Sequence, residues 1–441
     1  MKLFKNVSRD FLFCLILFFL VFIGHLVSRN ITSVDSKWSI PTAMSIIKEG
    51  NTHLDEYGEI LQKNNYSATQ EIDGHYYSIF PVGVSLLAVP FVYASEKMLD
   101  SLLPLIRDLA RYQGHDLPGT ITVISIAPGI ELFVASVIIA VTTVFIYLIA
   151  HGFLDRQYAF LISLVFAFCT SAWSTASRGL WQHGPSMLML TITLYLILRG
   201  KNNPRLLQFA SIPLAFSYVI RPTNCIPVVL LTVFMVVYHR QHFLRYILWA
   251  LVIAVPFVIF NLSIYRSLLS PYYYLSHSFR FDLGFLWSLA GHLISPSRGL
   301  LIYSPILMFS IYGIAAGIKK GEFKPLDWFL LLILFVHWIV ISSFSNWWGG
   351  FSFGPRYFAD MIPYWIYFLI LGVARILQYK GMKKIVLVSI FVCLVGISFF
   401  VHYRGANDWD VYRWNSEPID VDAKPERVWE WNDIQFLRGV K

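Results

Sequence analysis

Charge is scarce in this chain, and the short motifs that mark many soluble enzymes are missing. Only 14% of its 441 residues are charged, while 56% are hydrophobic. A soluble protein of this length could not cover so much apolar surface with so little charge. No HExxH, CxxC, GxSxG or P-loop pattern occurs, which argues against a metalloprotease, a serine hydrolase or an ATPase. Cysteine is sparse too: Cys14, Cys169, Cys225 and Cys393 each lie in or beside an apolar block, with no metal or redox spacing, and read as small packing residues. There are no internal repeats, low-complexity tracts or inverted halves of the kind many transporters carry.

What the chain does have is apolar blocks of roughly 15–25 residues, long enough as helix to cross about 30 Å of hydrocarbon. The expected fold class is an all-α polytopic membrane protein of about eleven transmembrane helices. The spans fall near 11–27, 127–150, 158–176, 185–199, 206–220, 225–238, 244–265, 300–318, 326–345, 357–377 and 383–402. The first is read as an uncleaved span, because Gly24-His25-Leu26 offers no small-x-small cleavage site. Aromatic residues reach 17%, many of them at block ends where amphipathic rings favour the headgroup region.

Segment 79–95 is apolar but short, and charge decides its place. If it does not cross, Lys2, Lys5 and Arg9 lie inside, with Arg156; Arg199, Lys201 and Arg205; Arg240 and Arg245; Lys319, Lys320 and Lys324; and Lys380, Lys383 and Lys384. That obeys the positive-inside rule at every short loop; if it crosses, every later loop inverts. Segment 79–95 is therefore expected to lie in the outer interface, preceded by a polar stretch 28–78 and followed by another, 96–119. The N-terminus is then cytoplasmic and the C-terminus outside. The net charge of +9 is explained the same way, without a nucleic-acid partner. The expected domains are a transmembrane domain, 1–402, whose outer loop 28–126 carries juxtamembrane helices, and a short outer-face cap, 403–441.

Everything unusual falls on the outer face. Asp35 sits just beyond the first span, ahead of an amphipathic run over 38–49 in which Trp38, Ile40, Ala43, Met44, Ile46 and Ile47 recur at helical spacing. A carboxylate at the bilayer edge suits a general base acting on an acceptor hydroxyl, and equally suits a helix N-cap; both readings stand. Asp73-Gly74-His75-Tyr76-Tyr77-Ser78 mixes a turn signal with aromatic groups, among them Tyr77. Arg178, Trp181, Gln182 and His183 share one short loop, a set able to bind sugar hydroxyls or phosphate. Ser295-Pro296-Ser297-Arg298-Gly299 opens a span, where Arg298 is either an anion site or a snorkelling cation. The run from Asn346 through Trp347, Trp348, Gly349 and Gly350 to Arg356 combines stacking rings, glycines and a cation suited to phosphate, with Asp360 one turn on to orient it.

These features together resemble the GT-C superfamily of polytopic glycosyltransferases, which includes the protein O-mannosyltransferases and the bacterial lipid A aminoarabinose transferases. The likeness rests on Val34-Asp35-Ser36 and the 38–49 run, on Phe80-Pro81-Val82-Gly83 to Pro90, on Trp181-Gln182-His183, on Ser295 to Leu300, and on Gly354-Pro355-Arg356-Tyr357. It implies a polyprenyl-phosphate-linked sugar donor, a lipid, glycan or protein acceptor, surrounding membrane lipids, and a bacterial inner membrane. Asp35 would be the catalytic base, and Arg356 and Arg298 would hold the donor phosphate. His183, Trp181, Gln182, Arg178, Tyr77 and Trp348 would hold sugar or acceptor. Many members pair two acidic residues at the catalytic position; here Asp35 is flanked by Val34 and Ser36, so no cofactor is expected and a divalent metal is unsupported. The rival expectations are a transporter or flippase for a lipid-linked glycan, and a polysaccharide polymerase. Transport is disfavoured because the span centres hold almost no ionisable groups.

Overall fold

The computed structural model describes residues 2–30, 35–112, 122–274 and 283–440. Thr32, Ser33 and Val34 of the motif around Asp35 therefore lie outside the described residues, as do 113–121 and 275–282 of the outer loops. Among the described residues the fold is α-helical apart from one small hairpin. The elements open with α1 (Lys2–Leu26), α2 (Ser39–Lys48), α3 (Gly58–Lys63), the strands β1 (Thr69–Ile72) and β2 (His75–Ser78), and α4 (Gly83–Tyr112). Next come α5 (Ala127–Ala150), α6 (Arg156–Phe168), α7 (His183–Gly200), α8 (Ser211–Ile220), α9 (Cys225–Tyr238) and α10 (Arg240–Tyr265). The last are α11 (Leu283–Ile294), α12 (Leu300–Tyr303), α13 (Met308–Lys319), α14 (Pro325–Ser342), α15 (Ile362–Gln378), α16 (Gly381–Asn407) and α17 (Asp410–Arg413).

Among the described residues, five segments are long and apolar enough to cross a membrane: Ala127–Ala150, Arg240–Tyr265, Pro325–Ser342, Arg356–Gln378 and Gly381–Asn407. Their burial differs sharply. α5 and α15 are central, whereas α10 and α16 are mostly uncovered. On α10 the exposed side chains Leu244, Leu248, Val252, Val255 and Ile259 recur at helical spacing, giving an apolar face with no protein against it.

Several expected segments are interrupted, each for a local reason. The 300–318 segment breaks between α12 and α13 because Pro305 has no N–H to give and pushes Ser304 out of the helical region. The break is satisfied from α16: Ser398 Oγ accepts the Ile306 N–H at 3.1 Å, and His402 Nε2 bonds Ser304 Oγ at 2.8 Å. The 158–176 segment ends its α-helix at Phe168 and continues as a wide turn, Ala172–Ala176. α16 runs on to Asn407, five residues into the segment 403–441 that was expected to form a cap.

Region 28–126, expected as an outer loop, departs most from expectation. Residues 96–112, read as polar loop, continue the helix begun at Gly83, so α4 spans 30 residues with Pro90 and Pro104 inside it. Glu96, Lys97, Asp100 and Ser101 alternate there with Met98, Leu99, Leu102 and Leu105, an amphipathic helix pattern that a count of charges hides. α4 lies along α2, burying Val84, Ala88 and Val92 against Ile40, Ala43 and Met44. β1 and β2 pair antiparallel, with Thr69 opposite Ser78 and Ile72 opposite His75. Their two-residue turn, Asp73-Gly74, has both residues at positive φ, 50° and 84°, as a type I′ hairpin requires.

α13 and α15 touch backbone to backbone. A Cβ on Gly372 would stand 2.5 Å from the Phe309 carbonyl oxygen, and one on Gly313 would clash with the carbonyl of Phe368. Gly313→Ala should therefore destabilise the protein by about 1–3 kcal/mol, read as a lower unfolding midpoint in detergent. Gly396→Ala, where a Cβ meets nothing within 4 Å, should be neutral or slightly stabilising.

Candidate functional site

The ends of several helices meet around a cleft. α8 closes at Ile220, because Pro222 forces Arg221 into an extended conformation. α7 opens at His183, and the turn Arg356–Met361 leads into α15. These three ends converge on the carboxylate of Asp360, which is fully buried. Arg221 Nε stands 2.6 Å from Asp360 Oδ2, and His183 Nδ1 stands 2.9 Å from Oδ1. The other face of His183 accepts: Arg356 Nε donates to His183 Nε2 at 3.3 Å. An arginine always donates, so Nε2 carries the lone pair and Nδ1 the proton that it gives to Asp360. Asp360 thus does not orient Arg356 directly, as the sequence spacing implied. It reaches Arg356 through His183.

Arg356 also pairs with the carboxylate of Asp35 and lies over the indole of Trp181, its guanidinium carbon 4.1 Å from the ring centroid. Asp35 does not cap the following helix. The N-cap of α2 is Trp38, without a side-chain cap, and the Asp35 carboxylate faces Arg356 instead. Its neighbour Ser36 donates to Glu131, a buried carboxylate on α5 that also accepts the Leu180 N–H at 3.2 Å. Glu131 thereby sets the segment bearing Asp35 against the segment bearing Trp181.

Asp35, Trp181, Gln182, Arg221 and Arg356 all line a cleft of about 570 Å³, within the usual range for small-molecule sites. Its remaining wall mixes Ile79, Phe80, Phe344 and Phe351 with Tyr272, Tyr412, Asn346 and Asp422. Gln182 bridges the floor, donating to Tyr272 Oη at 3.3 Å and accepting from Arg221 at 3.5 Å. Two buried polar atoms on the lining, Trp181 Nε1 and Asn346 Oδ1, have no hydrogen-bond partner among the described residues. Gly349 and Gly350, at φ 75° and 61°, let the 346–352 loop turn back tightly beside the cleft.

Other sequence candidates lie elsewhere. Arg298 is fully buried and saturated: it donates to the carbonyls of Trp348, Ser297 and Gly350, and to Gln435 Oε1 and Asn415 Oδ1. It binds the C-terminal cap to the 346–352 loop and has no donor left for a phosphate, which corrects its assignment as an anion site. Arg178 is equally buried, donating to the carbonyls of Trp173, His25 and Asn30. It holds the end of α1 and does not line the cleft, and burial lowers its pKa to about 9. Tyr77 lies in β2 opposite Gln70, edge-on to His53, also outside the cleft lining. Trp348 does not line the cleft either, but its indole N–H donates to Asp422 Oδ1 at 2.6 Å and so orients a residue that does. Sequence reasoning missed Arg221 and Glu131 as site residues. The signal for Arg221 was present: an arginine closing an apolar span immediately before a proline, on the same face as Arg356.

Asp360→Ala should leave Arg221 buried without a counter-charge and cost about 3–5 kcal/mol, read as a drop in thermal midpoint. Adding Arg221→Met to that variant should restore much of the loss, because the stranded charge is then gone. Compared with known proteins, the chain matches no family model and no curated protein.

Proposed function

We propose that this protein is a polytopic membrane glycosyltransferase of the GT-C kind, with about eleven spans. In this reading it moves a sugar from a polyprenyl-phosphate donor to an acceptor on the outer face of a bacterial inner membrane. The observation that carries the reading is the Asp35–Arg356 pair on the lining of the cleft: a carboxylate about one-third exposed, in contact with a cation stacked on Trp181. An inverting transfer needs both parts. The acceptor O–H gives its proton to a base as its oxygen bonds to the anomeric carbon. The bond from that carbon to the phosphate oxygen breaks, and the phosphate leaves with the electron pair. Asp35 is the base. Arg356 neutralises the leaving phosphate, and Arg221 is its partner on the same lining in place of Arg298. Gln182, Trp181 and Tyr272 are the sugar-facing groups, with Trp181 Nε1 offering an unused donor. Donor binding would compete for Arg356 and release Asp35 to accept a proton.

Two further observations support the setting. The apolar wall of Ile79, Phe80, Phe344 and Phe351 beside these charges suits an isoprenoid chain attached to a phosphate. The basic termini also lie away from the cleft. α7 starts at His183 beside the cleft and reaches Arg199 in its last turn, about 24 Å of helix later, and α15 starts beside Arg356 and leads to Lys380, Lys383 and Lys384. That is the charge asymmetry expected of a cytoplasmic N-terminus and an outer cleft.

The test is complementation of a deletion strain, with envelope glycans profiled by mass spectrometry. The wild-type gene should restore one glycan feature, whereas Asp35→Asn at equal protein level should restore none of it. Full restoration by Asp35→Asn would overturn the assignment of the base.

A further inference from the structure

The hairpin of the outer region holds a second constellation, apart from the cleft lining. His53 and Asp55 precede α3, and His75 opens β2 about twenty residues later. Backbone pairing brings them together: the Leu54 N–H donates to the Tyr76 carbonyl at 2.8 Å, and His53 bridges to Tyr77. The Tyr76 N–H in turn donates to Asp55 Oδ1 at 2.9 Å, which fixes the carboxylate and turns Oδ2 toward the two imidazoles. His75 Nδ1 stands 2.5 Å from that Oδ2, and His53 Nδ1 stands 3.3 Å from it. The rings lie parallel, with centroids 4.8 Å apart and planes 16° from each other. His53 Nδ1 is shielded from solvent and makes no hydrogen bond.

We propose that His53, Asp55 and His75 form a metal site for a divalent first-row transition ion of the zinc class. The three ligand atoms lie within 4.8 Å of one another. Around a tetrahedral zinc with bonds of about 2.0–2.1 Å, ligand atoms stand about 3.3 Å apart, so small side-chain adjustments close the shell. Two imidazoles with a carboxylate suit zinc-like ions, whereas magnesium and calcium prefer oxygen throughout. Glu56 supplies the fourth ligand: its Oε2 is 3.7 Å from His53 Nδ1. The Tyr76 N–H bond to Asp55 Oδ1 is the outer-shell contact that orients the carboxylate. The ion's place explains its use. β2 runs from His75 to Ser78, and the next residues, Ile79 and Phe80, line the cleft, so a metal clasp at His75 fixes one cleft wall from outside. This inference stands whether or not the cleft transfers sugar.

The experiment uses the full chain in detergent, stripped with a chelator and titrated with zinc against a chromophoric competitor, with bound metal counted by mass spectrometry. The expected result is one tightly held zinc per chain and a higher unfolding midpoint on loading. His53→Ala and His75→Ala should each weaken binding by about 100-fold. The stripped variants should melt like the stripped wild type. Wild-type affinity in both variants, or well under one ion per chain in the wild type, overturns the site. Should the variants fail to fold, X-ray absorption of the zinc-loaded wild type decides: two imidazoles with oxygen ligands support it, and any other shell contradicts it.

Discussion

Burying a carboxylate is costly unless it is paired, and Asp360 is met by groups from two other helix ends: Arg221 as counter-charge at Oδ2 and His183 as hydrogen-bond donor at Oδ1. Arg221 closes α8 and His183 opens α7, and neither has another acidic partner among the ion pairs of the described residues. The ion pair and the neutral imidazole together fix the relative depth of α7, α8 and α15. His183, locked by Asp360, then presents its other nitrogen to Arg356, and Arg356 meets Asp35 in the turn ahead of α2. Four segments distant in sequence are thus ordered around one carboxylate. The cleft exists where they meet.

The arginines divide into two kinds, and the division carries the functional argument. Arg178, Arg298 and Arg427 are buried and donate to protein acceptors throughout: Arg178 ties α1 to the turn before α7, and Arg298 ties the cap to the 346–352 loop. Arg427 holds the cap together through the carbonyls of Trp414 and Glu417 and the carboxylate of Asp433. Such cations are staples. Arg356 differs, because its acidic partner is about one-third exposed and both face open space. On the proposed reading, a cation so placed exchanges its carboxylate for an incoming phosphate without disturbing its surroundings. On the proposed reading, the same exchange prepares the base.

Much of this was legible in the chain, and what was not legible has physical causes. The helical class, the apolar blocks and the concentration of unusual residues at one end followed from hydropathy and charge. Asp35, Trp181, Gln182 and Arg356, from three separate motifs, do line one cleft, and His183 lies buried behind it against Arg356. Arg298 and Arg356 could not be told apart, since each precedes a helix after a glycine- or serine-rich turn. Their difference lies in whether the C-terminal tail delivers acceptors, and Gln435 and Asn415 do so only for Arg298. Asp360 was aimed at the wrong partner because i,i+4 spacing describes a helix, whereas Arg356–Met361 is a tighter 3₁₀ turn. The His53, Asp55 and His75 cluster escaped notice because strand pairing, not sequence proximity, assembles it.

The account centres on a cleft that takes a lipid-borne phosphate through Arg356. Native mass spectrometry of the gently extracted protein, wild type beside Arg356→Ala, addresses that claim most directly. The account predicts a polyprenyl phosphate or its glycoside on the wild type, absent from the variant, with the adduct mass naming the sugar. Ordinary phospholipids alone on both proteins, or an isoprenoid adduct retained by Arg356→Ala, would contradict it.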